Sequence, residues 1–203
     1  MTLRLYFHPF SSFCQKVLVA LWEREVAFEP VVVDLGDPEQ RAGLERLWRF
    51  AKFPVLLDEA SGAPLIPGDP DEALRVRLWD RFFDNFVELP LQKVVGDTFR
   101  AADARDPAGV AEAKRTLAAA WDVLEAELAR HGGDWAAGDS FSMADCAAAP
   151  ALFYANIIVP FEGHPRVTAY FERLLARPSF ARAVEEARPY RSFFPLGWPD
   201  DYR

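Results

Sequence analysis

This 203-residue chain is poor in sulfur and histidine: it has two cysteines, two methionines and three histidines. Cys14 and Cys146 stand alone and in unlike contexts, so a disulfide framework is not expected and a reducing cytoplasm is the simpler setting. No second His, Asp or Cys cluster follows His8, so no metal site is expected. Positive charge is also in deficit. Lys and Arg number 23 against 31 Asp and Glu, for a net charge of −8. That balance argues against a nucleic-acid or anionic-membrane surface. No apolar run approaches the roughly 18 residues that span a bilayer. Pro9 interrupts the short apolar start, so a secretory leader is not expected either. No internal repeat or low-complexity tract occurs. Half the residues are hydrophobic, enough for a sizeable core.

What is present changes character near residue 69. Before it, strands and helices alternate. Leu3–Phe7 reads as a strand. A turn follows at His8-Pro9-Phe10, and Ser11–Arg24 reads as a helix with Cys14, Val17, Leu18 and Leu21 along one face. Phe28–Val33 is a β-branched strand, and Pro38–Trp48 a weaker helix. Phe53–Asp58 and Ala63–Ile66 read as a hairpin turning at Ala60-Ser61-Gly62. After Asp69 the chain reads as helix throughout. Asp69 is an N-cap, Pro70 sits at the first position and Glu72 reaches back. Two apolar rows follow, Leu74, Leu78, Phe82 and Phe86 beside Val76, Trp79, Phe83 and Val87. Pro90 is expected to kink or end that helix. Further helices are expected over 107–130, 143–156, 165–177 and 180–188, with a Pro- and aromatic-rich tail wrapping the surface. The expected fold is α/β plus all-α, with one unit over 1–66 and an all-helical unit over 67–203.

The combination of Ser11-Ser12-Phe13-Cys14-Gln15-Lys16-Val17, the Lys52-Phe53-Pro54 step and Gly138-Asp139-Ser140-Phe141-Ser142-Met143-Ala144-Asp145 resembles the glutathione transferase superfamily over nearly the whole chain. The resemblance implies a thioredoxin-like N-terminal domain and a helical-bundle C-terminal domain. Ser142 and Asp145 then match the family's buried capping box. The implied activity is attack of the glutathione thiolate on a small apolar electrophile, with glutathione as co-substrate, no metal, a cytoplasmic location and a homodimer. A non-catalytic binding or regulatory protein on the same scaffold is the alternative.

The chemistry can be argued from the residues. A free thiol has a pKa near 8.5, so little of it is thiolate at neutral pH. Lowering that pKa by about two units requires roughly 2.7 kcal/mol. A serine hydroxyl donating to the sulfur supplies about 1.5–3 kcal/mol, and a helix N-terminus up to about 1 kcal/mol. Ser11 can supply both and is the first candidate for the catalytic hydroxyl. Ser12 is the near alternative. Tyr6 is a further candidate, because tyrosine-type relatives use a phenol from the first strand. Cys14 stands to Ser11 as the second cysteine stands to the first in C-x-x-C, which leaves a thiol oxidoreductase open. Its place on an apolar helix face favours a small buried hydrophobe.

A cis bond before Pro54 would expose the backbone of Phe53 to pair with a bound peptide. The resemblance assigns Lys52, Phe53 and Pro54 to glutathione, with Lys52 toward the glycyl carboxylate. Phe10, Phe13, Trp79 and Phe83 are candidates for a second-substrate pocket. The chain departs from the family after the fourth strand. An acidic residue followed by serine usually opens a further helix there and holds the γ-glutamyl end. Here Ile66 runs straight into Pro67-Gly68-Asp69-Pro70, and no Glu-Ser pair occurs anywhere. Deletion of the segment, its loss from the sequence between Ile66 and Pro67, and partial substitution by Asp69 remain open.

Overall fold

The structure is a computed structural model and describes residues 3–48, 51–57, 65–200 and 202. A small sheet is built first. Strand β1 (Arg4–Phe7) lies at its centre, parallel to β2 (Glu29–Val32) and antiparallel to β3 (Val55–Leu57). Pro30 can sit in β2 because that strand is an edge, where a missing N–H breaks no ladder on the open side. Helix α1 (Ser12–Glu23) makes the crossover from β1 to β2. Leu5 and Phe7 of the sheet bury against Cys14, Leu18 and Leu21 of α1. Helix α2 (Pro38–Leu47) starts on Asp37, whose carboxylate accepts from the Glu39 and Gln40 amides.

The hairpin expected over 53–66 is described only in part. Its turn and the first half of its second strand lie outside the described residues, and Leu65 and Ile66 form a bend rather than a strand. Only residues 58–68 separate β3 from the Asp69 cap. A strand and a helix of typical length, about 11 residues, do not both fit there. The Leu65 carbonyl accepts from the Met143 amide at 2.9 Å and ties this connection to the helical part.

Helix α3 (Pro70–Phe82) begins on Asp69 as its sequence indicates. Of its two apolar rows, one is core: Val76, Trp79, Phe83 and Val87 are buried. The other is solvent-facing: Leu74, Leu78 and Phe86 are exposed by half or more. Pro90 does not end the helical run. A π turn over Phe83–Glu88 leads directly into α4 (Leu89–Thr98), and the Leu89 amide donates five residues back to the Asp84 carbonyl. Widening the ladder just before the proline accommodates the residue that has no N–H to give.

Helix α5 (Pro107–His131) ends on Gly132 at φ 66°, a left-handed cap that glycine adopts without strain. Helix α6 (Met143–Ile158) is buried along most of its length. It is flanked by α7 (Pro165–Ala176) and α8 (Pro178–Ala187). The tail does more than wrap the surface. Phe194 is buried, and Trp198 and Tyr202 pack on the helical core. Among the described residues, no helix is long and apolar enough to cross a membrane.

Candidate functional site

A cleft of about 720 Å³ opens between the α/β part and the helices. One wall is the start of α1, with Phe10, Ser11, Ser12 and Phe13. The opposite side carries Lys52, Phe53 and Pro54, and the Phe53-Pro54 bond is cis. Ala51, immediately before this step, holds a left-handed φ of 46°, a conformation that a residue with a Cβ adopts only when its surroundings impose it. The third side is α4 and the tail, through Leu89, Gln92, Val95, Phe99 and Phe193.

The two serines are held differently. Ser11 is the N-cap of α1, and its Oγ accepts from the Cys14 amide at 3.4 Å. Its hydroxyl also meets the Cys14 thiol, at the positive end of the helix. Ser12 is buried, and its Oγ–H donates to Glu88 Oε1 at 2.5 Å. Glu88 Oε1 also accepts from Gln92 Nε2 at 2.8 Å. Burial pushes the Glu88 carboxyl above the usual carboxylate range, against the pull of those two bonds.

Cys14 is fully buried, and burial pushes its thiol up to about 11, which suppresses the thiolate a redox role needs. Burial likewise holds the Cys146 thiol well above its ordinary value. Tyr6 lies in β1, and its ring does not line the cleft. Phe10 and Phe13 do line it. Trp79 and Phe83 do not; both belong to the helical core. The spacing that put them on one helical row with Val76 and Val87 is the row that packs inward. Asp69 is spent on capping α3, accepting from Asp71 and Glu72 amides at 3.0 Å each, and lies off the cleft. Among the described residues no group of three or more His, Cys, Asp or Glu is placed to hold a metal ion.

Four lining groups escaped the sequence reading: the α4 face, Leu35, Tyr154 and the Phe193–Pro195 stretch of the tail. The first had a signal. Val94 is buried in the core, while Leu89, Gln92, Val95 and Phe99 recur at helical spacing on another face, with buried Leu91 reaching the cleft from between them. A helix with one more apolar face than its packing uses has a face to spare for a ligand. Tyr154 had none: its hydroxyl accepts from Gln15 at 3.0 Å and donates to the Phe10 carbonyl at 3.3 Å, a contact across more than a hundred residues.

The chain matches two family models, "Glutathione S-transferase, N-terminal domain" over residues 5–67 and "Glutathione S-transferase, C-terminal domain" over residues 107–173. It is 30% identical over 211 residues to glutathione S-transferase 3 of Zea mays, covering 90% of this chain and 93% of that one. The chain belongs to the glutathione S-transferase family. Its fold is the family's: a small thioredoxin-like N-terminal domain with a short sheet, then a helical C-terminal domain. A glutathione S-transferase from Methylobacterium radiotolerans, solved in complex with glutathione sulfonate, superimposes with a TM-score of 0.77. It is 25% identical and covers 91% of this chain and 95% of its own. A transferase from Methylobacillus flagellatus with glutathione bound gives the same TM-score at 22% identity, covering 90% of this chain and 98% of that one. The alignment to the Zea mays transferase is longer than the 203 residues of this chain, so it passes over positions this chain lacks.

Proposed function

We propose that this transferase binds glutathione in the cleft, holds its sulfur as a thiolate at Ser11, and directs it onto a small apolar electrophile. The observation that carries the reading is the placement of the Ser11 hydroxyl. It sits on the cleft wall at the N-terminus of α1, in the same cleft as the Phe53-Pro54 step, and its other side-chain partner is the Cys14 thiol, a weak acceptor that a ligand thiolate can replace. Ser11 is chosen over Ser12 because the Ser12 proton is already given to Glu88. Phe53 and Pro54 are assigned to the cysteinyl part of glutathione and Lys52 to its glycyl carboxylate. Phe10 and Phe13, with Leu89, Val95 and Phe99, form the apolar wall for the electrophile. No Glu-Ser pair occurs in the chain to hold the γ-glutamyl end in the family's usual way, so glutathione affinity is weak. The two units are taken to meet between Ile66 and Pro67, and the protein to work in the cytoplasm.

Retention on immobilised glutathione, followed by turnover of an activated aryl halide, tests the reading. Ser11→Ala should cut turnover by about 10- to 100-fold, the worth of one charge-assisted hydrogen bond of about 1.5–3 kcal/mol. Retention without turnover would point to the binding-protein alternative. Unchanged turnover in Ser11→Ala would remove Ser11 from the mechanism.

The same reading includes a homodimer. Leu74, Leu78 and Phe86 on α3 and the π turn, with Val123 on α5, are half or more exposed. Phe86 and Val123, with Phe82, line a groove of about 610 Å³. Apolar surface of that kind is normally covered by a partner. Sedimentation at micromolar concentration should give twice the chain's 22.9 kDa; a single-chain species alone would refute the dimer.

A further inference from the structure

Ser11 and Ser12 are neighbours on one cleft wall, yet their hydroxyls point their chemistry in opposite senses. Ser11 Oγ accepts from the Cys14 amide, and its proton has only the weakly accepting Cys14 thiol beside it, which a ligand thiolate can replace. Ser12 gives its proton to Glu88, which leaves a lone pair on Oγ and makes it an acceptor toward anything else. Glu88 is the last residue of the π turn and 3% exposed. A buried carboxylate is costly unless its charge is compensated. Here the compensation has gone elsewhere. Lys16 Nζ lies 2.8 Å from Asp80 and 2.9 Å from Asp84, and Arg81 reaches the same two carboxylates at 3.4 and 3.5 Å. Among the described residues Glu88 has no cation within ion-pair distance, and as the carboxylate it is placed to take a proton from Ser12.

We propose that Ser12 and Glu88 form a proton relay that receives the thiol proton of bound glutathione, with Ser11 left to stabilise the sulfur anion. The inference rests on the reading of the cleft as a glutathione site. The S–H bond breaks as Ser12 Oγ takes the proton, and the proton already on Ser12 Oγ passes to Glu88 Oε1. The products are a thiolate, a neutral serine and a neutral carboxylic acid. After the conjugate leaves, Glu88 returns its proton through Ser12 to water in the emptied cleft. The groups facing Glu88 are Ser12 and Lys16 on α1, Asp84 on its own turn, Gln92 on α4 and Tyr154 on α6. Burial, with Asp84 nearby, raises the carboxyl, while Ser12, Gln92 and Lys16 pull it down. Gln92 serves either protonation state, because its amide oxygen can accept what its nitrogen now donates.

Proton counting tests the relay. Glutathione is added to the full chain at neutral pH, with the ultraviolet band of the thiolate and a pH indicator followed together. The expected result is a thiolate band with no proton released to solvent. Glu88→Gln keeps the shape of the side chain but not its basicity. Each thiolate it forms should release one proton, and fewer thiolates should form. Ser12→Ala interrupts the path while keeping the Glu88 side chain and its bond from Gln92, and should behave alike, which keeps the test open if Glu88→Gln folds poorly. Proton release in step with the thiolate band in the unmutated protein overturns the relay and leaves the Ser11 reading standing. No thiolate band at saturating glutathione overturns both.

Discussion

Helices α1 and α6 each begin on a serine and pack against one another, yet the two starts are built to different strengths. At α6, Ser142 and Asp145 cap each other reciprocally. Asp145 accepts from the Ser142 amide at 2.8 Å and its hydroxyl at 3.0 Å, from the Ala136 amide at 2.9 Å and from the Tyr170 hydroxyl at 2.7 Å. All of this is buried, and it ties the preceding loop and α7 to the same carboxylate. At α1, Ser11 makes one long cap bond to Cys14 and no reciprocal one. The helix is held instead by its far end and by its sides. Glu23 accepts from Arg177 Nε at 2.9 Å and from Ser179, joining α1 to α8 and the turn before it. Gln15 bonds Pro9 and Tyr154. The difference teaches how a helix start can be kept free for chemistry: its anchoring is moved to other parts of the helix.

The largest expected effect lies at the strong start. Asp145→Ala leaves four donors without their acceptor in a buried place. At about 1–3 kcal/mol for each group left unsatisfied, with some relaxation, the loss should be about 3–5 kcal/mol. Urea denaturation measures it, and a loss below about 1 kcal/mol would make this start no stronger than an ordinary cap.

A smaller effect is expected at the far end of α1. Burial alone would raise the Glu23 carboxyl, but the hydrogen bonds from Arg177 and Ser179 and the guanidinium charge outweigh it and hold it below its ordinary value of 4.5. A carboxyl depressed in the folded state contributes its stability above the unfolded value and loses it as pH falls through the folded one. Glu23→Gln should therefore destabilise by about 1 kcal/mol at neutral pH. That gap should hold down to about pH 4.5 and close below it. A gap that widened on acidification would mean that Glu23 is not held as the anion.

The smallest effect on folding should come from the weak start itself. Ser11→Ala removes one partly exposed cap bond and should cost no more than about 1 kcal/mol, while turnover falls as described above. If its folding loss matched that of Asp145→Ala, the contrast between the two starts would collapse.

Much of this was legible in the sequence because the signals were local. Asp69-Pro70 and Ser142 with Asp145 announce their helices by chemistry that acts within three residues. The Ser11 start, the Phe53-Pro54 step and the cleft-side places of Phe10 and Phe13 were visible for the same reason. Contacts between distant segments were not. Glu88 reads as one more charged residue on a helix until the fold lays it against Ser12, and Tyr154 meets Gln15 only across the domain boundary. Trp79 and Phe83 show the limit of periodicity. A broad apolar stripe says that a helix has two rows, not which one faces a cleft. Pro90 shows a limit of another kind, since the rule that proline breaks helices does not foresee the wider turn that admits it.

That wider turn carries one surplus residue, and a surplus residue is what a single inserted codon would supply. Each residue turns an α-helix by about 100°. Delete one position between Phe83 and Glu88 and everything downstream rotates like a key in a lock. Leu91 and Val94 would swing out of the core, the row Leu89, Gln92, Val95 and Phe99 would leave the cleft, and α4 would offer the ligand a different face. A family that varies its substrates could do so here by changing the count of residues while keeping their identities.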